Sequence, residues 1–295
     1  MQRTNFPFEV IVHDDASTDR TQEIIGEYAR KYPNIIKAVF QEKNQYSKGK
    51  KPSLLSFQYA RGEYVAICEG DDFWIANDKL QLQFEAAKSS GCRLVFTSCL
   101  LLCGEKIKGA AGRHQDTSGI ISHRRVVFGG GYFCPTASLF LERSVLEELS
   151  GMEWFQKAPV GDLYIQAFAA LKCGAFFLDF ESCVYRVRSR GSWTSSKKSQ
   201  VVILRDLESH VICINELSSY FGEDKDVLFS QMMSKAYYNS ALALLEIKEG
   251  SQFDFFIRLA KEKAVFVSKG LLGYYLLRRV PMCAYFLLKL SSRIL

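Results

Sequence analysis

Residues 9–21 read Glu9-Val10-Ile11-Val12-His13-Asp14-Asp15-Ala16-Ser17-Thr18-Asp19-Arg20-Thr21. A β-branched apolar run that stops at two adjacent aspartates predicts a buried strand whose carboxyl end carries acids. Working outward, Asp19 with Gln22 three residues later is placed to cap the next helix. In that helix Ile24, Ile25, Tyr28 and Ala29 share one face, and Pro33 stops it. A second strand is expected over Ile35–Phe40, then a polar loop over 41–52 with four lysines, then a short helix over 53–60. A third strand, Tyr64–Cys68, runs directly into Glu69-Gly70-Asp71-Asp72. Two strand ends thus carry clustered carboxylates.

The rest of the first two thirds continues the alternation. A helix is predicted at Lys79–Ser89, a strand at Arg93–Ser98, a glycine-rich charged loop over 103–119, a strand at Thr136–Leu141 and a helix at Gly161–Lys172. Phe176–Asp179 and Cys183–Val187 read as short strands. Strands alternating with helices predict an α/β fold, a mostly parallel sheet covered by helices on both faces. From about residue 197 the apolar spacing becomes helical, so the chain divides into an α/β part, 1–196, and a helical C-terminal region, 197–295.

Composition narrows the classes. With 295 residues, 48% hydrophobic and 24% charged, the chain is globular and can bury a sizeable core. No apolar run approaches the ~20 residues that span a bilayer. Nine cysteines without a C-x-x-C pair, and no export signal, predict reduced and mostly buried thiols in a cytoplasmic protein. The net charge of +6 belongs to the tail: residues 255–295 hold eight Lys or Arg and one acid, leaving the remainder at −1. A nucleic-acid binder would carry its basic face on the folded body, so no nucleic-acid partner is expected.

Ligands of open α/β sheets bind outside the carboxyl ends of the strands. Carboxylates crowded there repel one another, and a hard divalent cation, Mg²⁺ or Mn²⁺, relieves the repulsion and binds diphosphate oxygens. Asp and Ser are also ordinary turn and cap residues, which explains one such cluster more easily than two. A third acid, Asp162 in Ala158-Pro159-Val160-Gly161-Asp162, stands at a helix start, where capping alone would account for it.

Here the pattern resembles the family 2 glycosyltransferases, inverting enzymes of the GT-A fold. Glu9–Thr21 is similar to their nucleotide-binding D-D-x-S-x-D-x-T segment. Residues 60–74 are similar to the strand leading into their D-x-D metal motif, written here Glu69-x-Asp71 with Asp72 adjacent. Pro135–Arg143 resembles the acceptor-side strand, and Gly161-Asp162 falls where the family carries Glu-Asp. Tyr185–Trp193 resembles a Tyr-Arg-x-His-x-x-Gly-x-Trp segment, with Arg188 in place of the His. The resemblance implies that Asp14 or Asp15, with Ser17, contacts the nucleoside. It implies that Asp71, with Asp72 or Glu69, holds the metal, and that Asp162 is the catalytic base. The implied partners are a nucleotide-sugar donor and a glycan or lipid-linked glycan acceptor, in bacterial surface polysaccharide synthesis. Members also open with a further strand and helix, so the chain is expected to lack an N-terminal segment ahead of Glu9.

Other features stay open between two readings. Lys48, Lys50 and Lys51 could approach phosphates or merely solvate a loop; Phe73-Trp74 could line a sugar pocket or pack beneath it. Arg186, Arg188 and Arg190 alternate, as on one strand face meeting an anion or on an exposed edge. Gly129–Gly131 reads as a flexible bend, and the four histidines as structural or surface residues. The rivals to an enzyme are a phosphorylation receiver, which should be about half this length, and a non-catalytic glycan- or nucleotide-binding relic of the same fold. The tail 270–295, apolar but interrupted by Arg278, Arg279, Pro281 and Lys289, suits either peripheral membrane contact or a packed helical subdomain.

Overall fold

The computed structural model describes residues 1–187, 189 and 199–294, the side chains of 291–294 excepted. It begins with a βαβ unit: β1 (Val10–Asp14), α1 (Thr21–Lys31) and β2 (Ile36–Phe40), the two strands parallel and in register from Val10 opposite Ile36. Then come α2 (Pro52–Phe57), β3 (Tyr64–Ala66), β4 (Phe73–Trp74), α3 (Lys79–Ser90), β5 (Leu94–Cys103), β6 (Lys106–Ala111) and β7 (Gly119–Ile121). Next are α4 (His123–Gly129), β8 (Phe140–Glu142), α5 (Arg143–Ser150), α6 (Glu153–Gln156), α7 (Asp162–Ala169) and β9 (Ala175–Arg186). Five helices complete the chain: α8 (Gln200–Ser218), α9 (Lys225–Glu246), α10 (Gly250–Lys263), α11 (Lys269–Leu276) and α12 (Pro281–Ile294).

The α/β architecture followed by helices is as expected, but the sheet is mixed rather than mostly parallel. Beyond β1–β2, seven strands form a second sheet in the order β3-β8-β5-β9-β4, with β6 on β5 and β7 on β9. Among these pairs only β5–β9 is parallel. The loop expected over 103–119 contains β6, a hairpin partner of β5, and the two short strands expected near 176–187 are one long β9. Apolar alternation reports which residues face a core; it carries no information on strand direction.

β1, expected to be buried, is half-exposed, with Val10 at 38%. Its two-stranded sheet does not pair with the larger one, so the edges of β1 and β3 both open onto a slot lined by Val10, Val12, Val65 and Ile67. No residue of α1 is buried, and Ile24 and Tyr28 stand out in solvent. The expected cap is also different. Asp19 accepts from Thr21 N rather than boxing with Gln22, whose amide turns back to Asp14.

The helices from 200 onward are not a detached unit. Leu207, Ile214, Leu217, Leu228 and Met232 of α8 and α9 belong to the same apolar core as Leu94, Phe96 and Phe177 of β5 and β9. A second core gathers Leu245, Phe253, Ile257, Leu271 and Tyr274 from α9, α10 and α11. This packing brings α8 and α9 to the rim of the α/β part's cleft. The expectation of reduced thiols is corrected at one place: Cys92 and Cys173 form a disulfide, their Cα atoms 5.4 Å apart. It closes α3 onto the turn before β9, residues too distant in sequence for spacing to pair them.

Candidate active site

A cleft of about 3280 Å³ runs from the slot beside β1, past the end of β3, to α8 and α9. That exceeds the ~300–1,000 Å³ of an ordinary small-ligand pocket, so it has room for two reactants. Glu69, Asp71 and Asp162 all line it, although Asp162 lies some ninety residues downstream.

β3 ends at Ala66 and a turn closed by Asp72 N donating to Glu69 O (3.0 Å) presents the acids. They do not face the same way. Asp72 is buried, its Oδ1 accepting from Arg186 N (2.9 Å), while Oδ2 is buried without a partner among the described residues. Asp71 reaches the cleft and accepts from Ser189 Oγ. Glu69 opens to water through the cleft yet is crowded by protein. Burial, then the charges of Asp72, Asp162 and Asp71, push its carboxyl up to about 7. Burial likewise pushes Asp72 up to about 6, against the Arg186 N–H. Carboxylates held this far above their usual range are short of positive charge.

Asp162 is the first residue of α7. Its Oδ1 accepts from Leu163 N (2.8 Å), and burial raises its pKa in spite of that bond. Gly131 packs against it: a Cβ built there would lie 3.1 Å from Asp162 Oδ2. One helical turn later, buried Gln166 ties the neighbouring loop to α7. Its amide donates to Gly131 O (2.8 Å) and Cys134 O (2.9 Å) and accepts from Cys134 N (3.0 Å). The expected flexible bend at Gly129–Gly131 is therefore a constrained loop. Gly130 adopts φ +79°, and a Cβ on Gly129 would strike the Phe133 ring. Gln166→Leu should cost about 3 kcal/mol, because two buried backbone groups of Cys134 and the half-buried Gly131 carbonyl lose their partner. Urea denaturation checks this; a loss below ~1 kcal/mol would show that the loop holds without it.

The first acidic cluster is built differently. Asp14 is buried and accepts from Ser17 N (3.1 Å) and Gln22 Nε2 (2.7 Å). Burial alone would raise its pKa, but those bonds bring it below the usual range. They hold a turn in which Ala16 takes φ +62°, a left-handed conformation that costs a non-glycine residue about 1 kcal/mol or more. Asp15 is half-buried and receives Gln45 N (2.7 Å) and Tyr46 N (2.9 Å), one on each oxygen. Asp14, Asp15 and Ser17 thus shape the strand-end loops; the cleft itself is met by His13 and Tyr46.

The remaining candidates sort by contact. The Arg186 guanidinium bonds Asp71 O and lies over the Phe73 ring (4.8 Å), so it braces the acidic turn. Arg188 and Arg190 lie outside the described residues. Trp74 lines the cleft and donates from Nε1 to Ala137 O (2.9 Å). Lys51 bonds the Ala158 carbonyl, whereas Lys48 and Lys50 are solvated. No three His, Cys, Asp or Glu side chains form a closed metal cage among the described residues. An Mg²⁺- or Mn²⁺-diphosphate site needs only one or two carboxylates plus substrate oxygens. The crowded acids Glu69 and Asp71 on the cleft wall fit that requirement. Sequence reasoning missed Gln166, which lies at i+4 from Asp162 and is legible as the same helix face. Tyr132 and Lys235 also line the cleft, and no sequence signal marks them.

A mixed sheet with acidic turns around one cleft, closed by C-terminal helices, is the GT-A arrangement. The chain is similar in structure to Staphylococcus aureus TarS 1–349 in complex with UDP-GlcNAc (TM-score 0.65, 18% identity, 98% of this chain and 84% of that one). The mannosyltransferase PcManGT from Pyrobaculum calidifontis, in complex with GDP-Man and Mn²⁺, is similar over 98% and 79% (TM-score 0.51, 16% identity). Residues 1–154 match glycosyl transferase family 2, and the chain belongs to that family. An uncharacterized Mycobacterium tuberculosis protein is 50% identical over 82 residues, 28% of this chain and 23% of that protein. The putative teichuronic acid biosynthesis glycosyltransferase TuaG of Bacillus subtilis is 35% identical over 95 residues, 32% of this chain and 36% of that protein. The chain therefore spans only about a quarter to a third of the length of these relatives.

Proposed function

We propose that the protein transfers a sugar, with inversion, from a nucleotide-sugar donor to an acceptor hydroxyl in bacterial surface polysaccharide synthesis. The observation that carries this reading is the convergence of Glu69, Asp71 and Asp162 on one cleft in a family 2 chain. Asp71, assisted by Glu69, would hold a divalent cation on the donor diphosphate, with Asp72 supporting the turn from behind. The cation supplies charge neutralisation at the leaving group. Asp162 takes the proton of the attacking acceptor hydroxyl, and its burial keeps it basic enough to do so. On the nucleoside side Asp15 is the more exposed of the two acids and is bonded to the cleft residue Tyr46. Each Asp15 oxygen holds one donor and keeps a lone pair for a base or ribose group. Asp14 and Ser17 hold that loop in shape.

A thermal-shift experiment tests the donor site. A nucleoside diphosphate with Mn²⁺ at ~100 times its dissociation constant should add about 2.7 kcal/mol; no stabilisation by any nucleotide would refute the donor site.

No described helix is long and apolar enough to cross a membrane. The tail does pack, through Leu271, Tyr274 and Ala284, yet Met282, Phe286 and Leu290 of α12 recur every four residues at 60%, 61% and 59% exposure. This apolar stripe, in the region that carries the basic charge, supports peripheral contact with an anionic lipid surface, as at the inner face of a bacterial membrane. Replacing all three by serine should abolish flotation with anionic vesicles; undiminished flotation would refute the contact.

A further inference from the structure

Lys235 on α9 enters the cleft from the helical region and has no assigned role. It is half-buried, and among the described residues it makes no hydrogen bond or ion pair. Burial alone lowers its pKa, with no carboxylate close enough to offset the cost. An anion joining it there would stabilise the charged form.

Its surroundings say where that partner sits. A Cβ built on Gly130 would lie 3.3 Å from Lys235 Nζ, and one on Gly131 would lie 3.1 Å from Asp162 Oδ2. Two consecutive glycines therefore separate the cation from the acid, and the absence of side chains keeps the space above them open. The two charges are not within ion-pair distance. The backbone N–H groups of Gly131 and Tyr132 donate to nothing within the described residues. Asn239, one turn beyond Lys235 on α9, lines the same wall. Gln166 holds the loop that presents these donors. One ammonium and adjacent N–H donors on a glycine loop suit a phosphate, whose several oxygens can accept from different directions.

We propose that Lys235 and the Gly130–Tyr132 loop form a subsite for a phosphate group of the acceptor, holding the acceptor so that its hydroxyl meets Asp162. Calling the bound molecule the acceptor rests on the transferase reading above; the anion site itself does not. The Asp71 side of the cleft serves the donor diphosphate, and Lys235 enters from the Asp162 side. Two acceptors share this chemistry, a lipid-linked diphosphate and a polyol phosphate chain.

The test is calorimetric titration of the full chain with inorganic phosphate, glycerol 3-phosphate and farnesyl diphosphate, in wild type, Lys235→Met and Lys235→Arg. Matched melting curves confirm that the variants fold. Lys235→Met should weaken the phosphate ligands about tenfold or more, Lys235→Arg should largely restore them, and nucleoside diphosphate affinity should stay unchanged. Tighter binding of farnesyl diphosphate assigns a lipid-linked acceptor, and tighter binding of glycerol 3-phosphate a polyol phosphate. Absence of phosphate binding in wild type, or equal binding in Lys235→Met, overturns the proposal. So does an equal loss of nucleoside diphosphate affinity, which would move Lys235 to the donor side. If no nucleotide binds but phosphate binding still depends on Lys235, the subsite stands and the transferase reading falls.

Discussion

Asp162→Asn should lower the transfer rate by about 10²–10⁴-fold, the usual contribution of a general base, while leaving nucleotide affinity unchanged. The asymmetry follows from position. Asp162 packs against the Gly131 loop, apart from the Asp71 turn, and on the proposed reading its effect is confined to the chemical step. The amide keeps the volume and can still accept from Leu163 N, so the fold should be unaffected. A base works only when deprotonated, and burial raises this one. The wild-type rate should therefore fall on the acid side at a pH above the ordinary aspartate range, and that limb should vanish in the variant. Transfer assays across pH, beside nucleotide titrations, measure both. A parallel fall in nucleotide affinity would place Asp162 in donor binding instead.

Asp71→Asn should reverse the pattern. Nucleoside diphosphate binding in the presence of Mn²⁺ should weaken by about a hundredfold, about 2.8 kcal/mol, with little change when the metal is chelated. Wild-type Mn²⁺ affinity should also rise between about pH 5.5 and about 7.5, because a cation binds the ionised acids and must expel their protons. Glu69, near 7, supplies such a proton directly, and the charge of a nearby cation also favours ionisation of Asp72, near 6, behind the turn. Metal-free stability runs the other way. Both pKa values are raised above their unfolded values, so the native state holds extra protons in this window. That stabilisation is complete below the unfolded values and is lost as pH rises through about 6 to 7. Melting temperature should then fall with pH in chelator and recover with Mn²⁺. Unchanged nucleotide affinity in Asp71→Asn, or a metal affinity flat with pH, would remove the cation from this turn.

Between them these variants separate the two jobs of the cleft. If Asp71 and Asp162 instead failed together and equally, the shared cause would be a damaged cleft rather than two chemical roles. The melting curve of each variant decides that point.

The sequence by itself determined what depends on neighbours along the chain. An apolar run ending in acids specifies a strand that delivers carboxylates, and this held for Val10–Asp14 and for Tyr64–Ala66 with its turn. Helical spacing beyond residue 200 specified the helical region, and the start of α7 at Asp162 was equally legible. Only the tertiary structure decided the rest. Strand direction depends on which segments meet, so a sheet expected to be mostly parallel is mixed, with β5–β9 the parallel pair within its larger part. Which acid faces the cleft depends on Arg186, more than a hundred residues away, whose N–H turns Asp72 inward and leaves Asp71 outside. Burial of β1 depends on a neighbour at its open edge, which alternation cannot report. Lys235 reads as an ordinary helical lysine until α9 packs against the cleft and half-buries it. Local pattern sets backbone geometry and the facing of side chains, whereas the convergence of charge is a property of non-local packing.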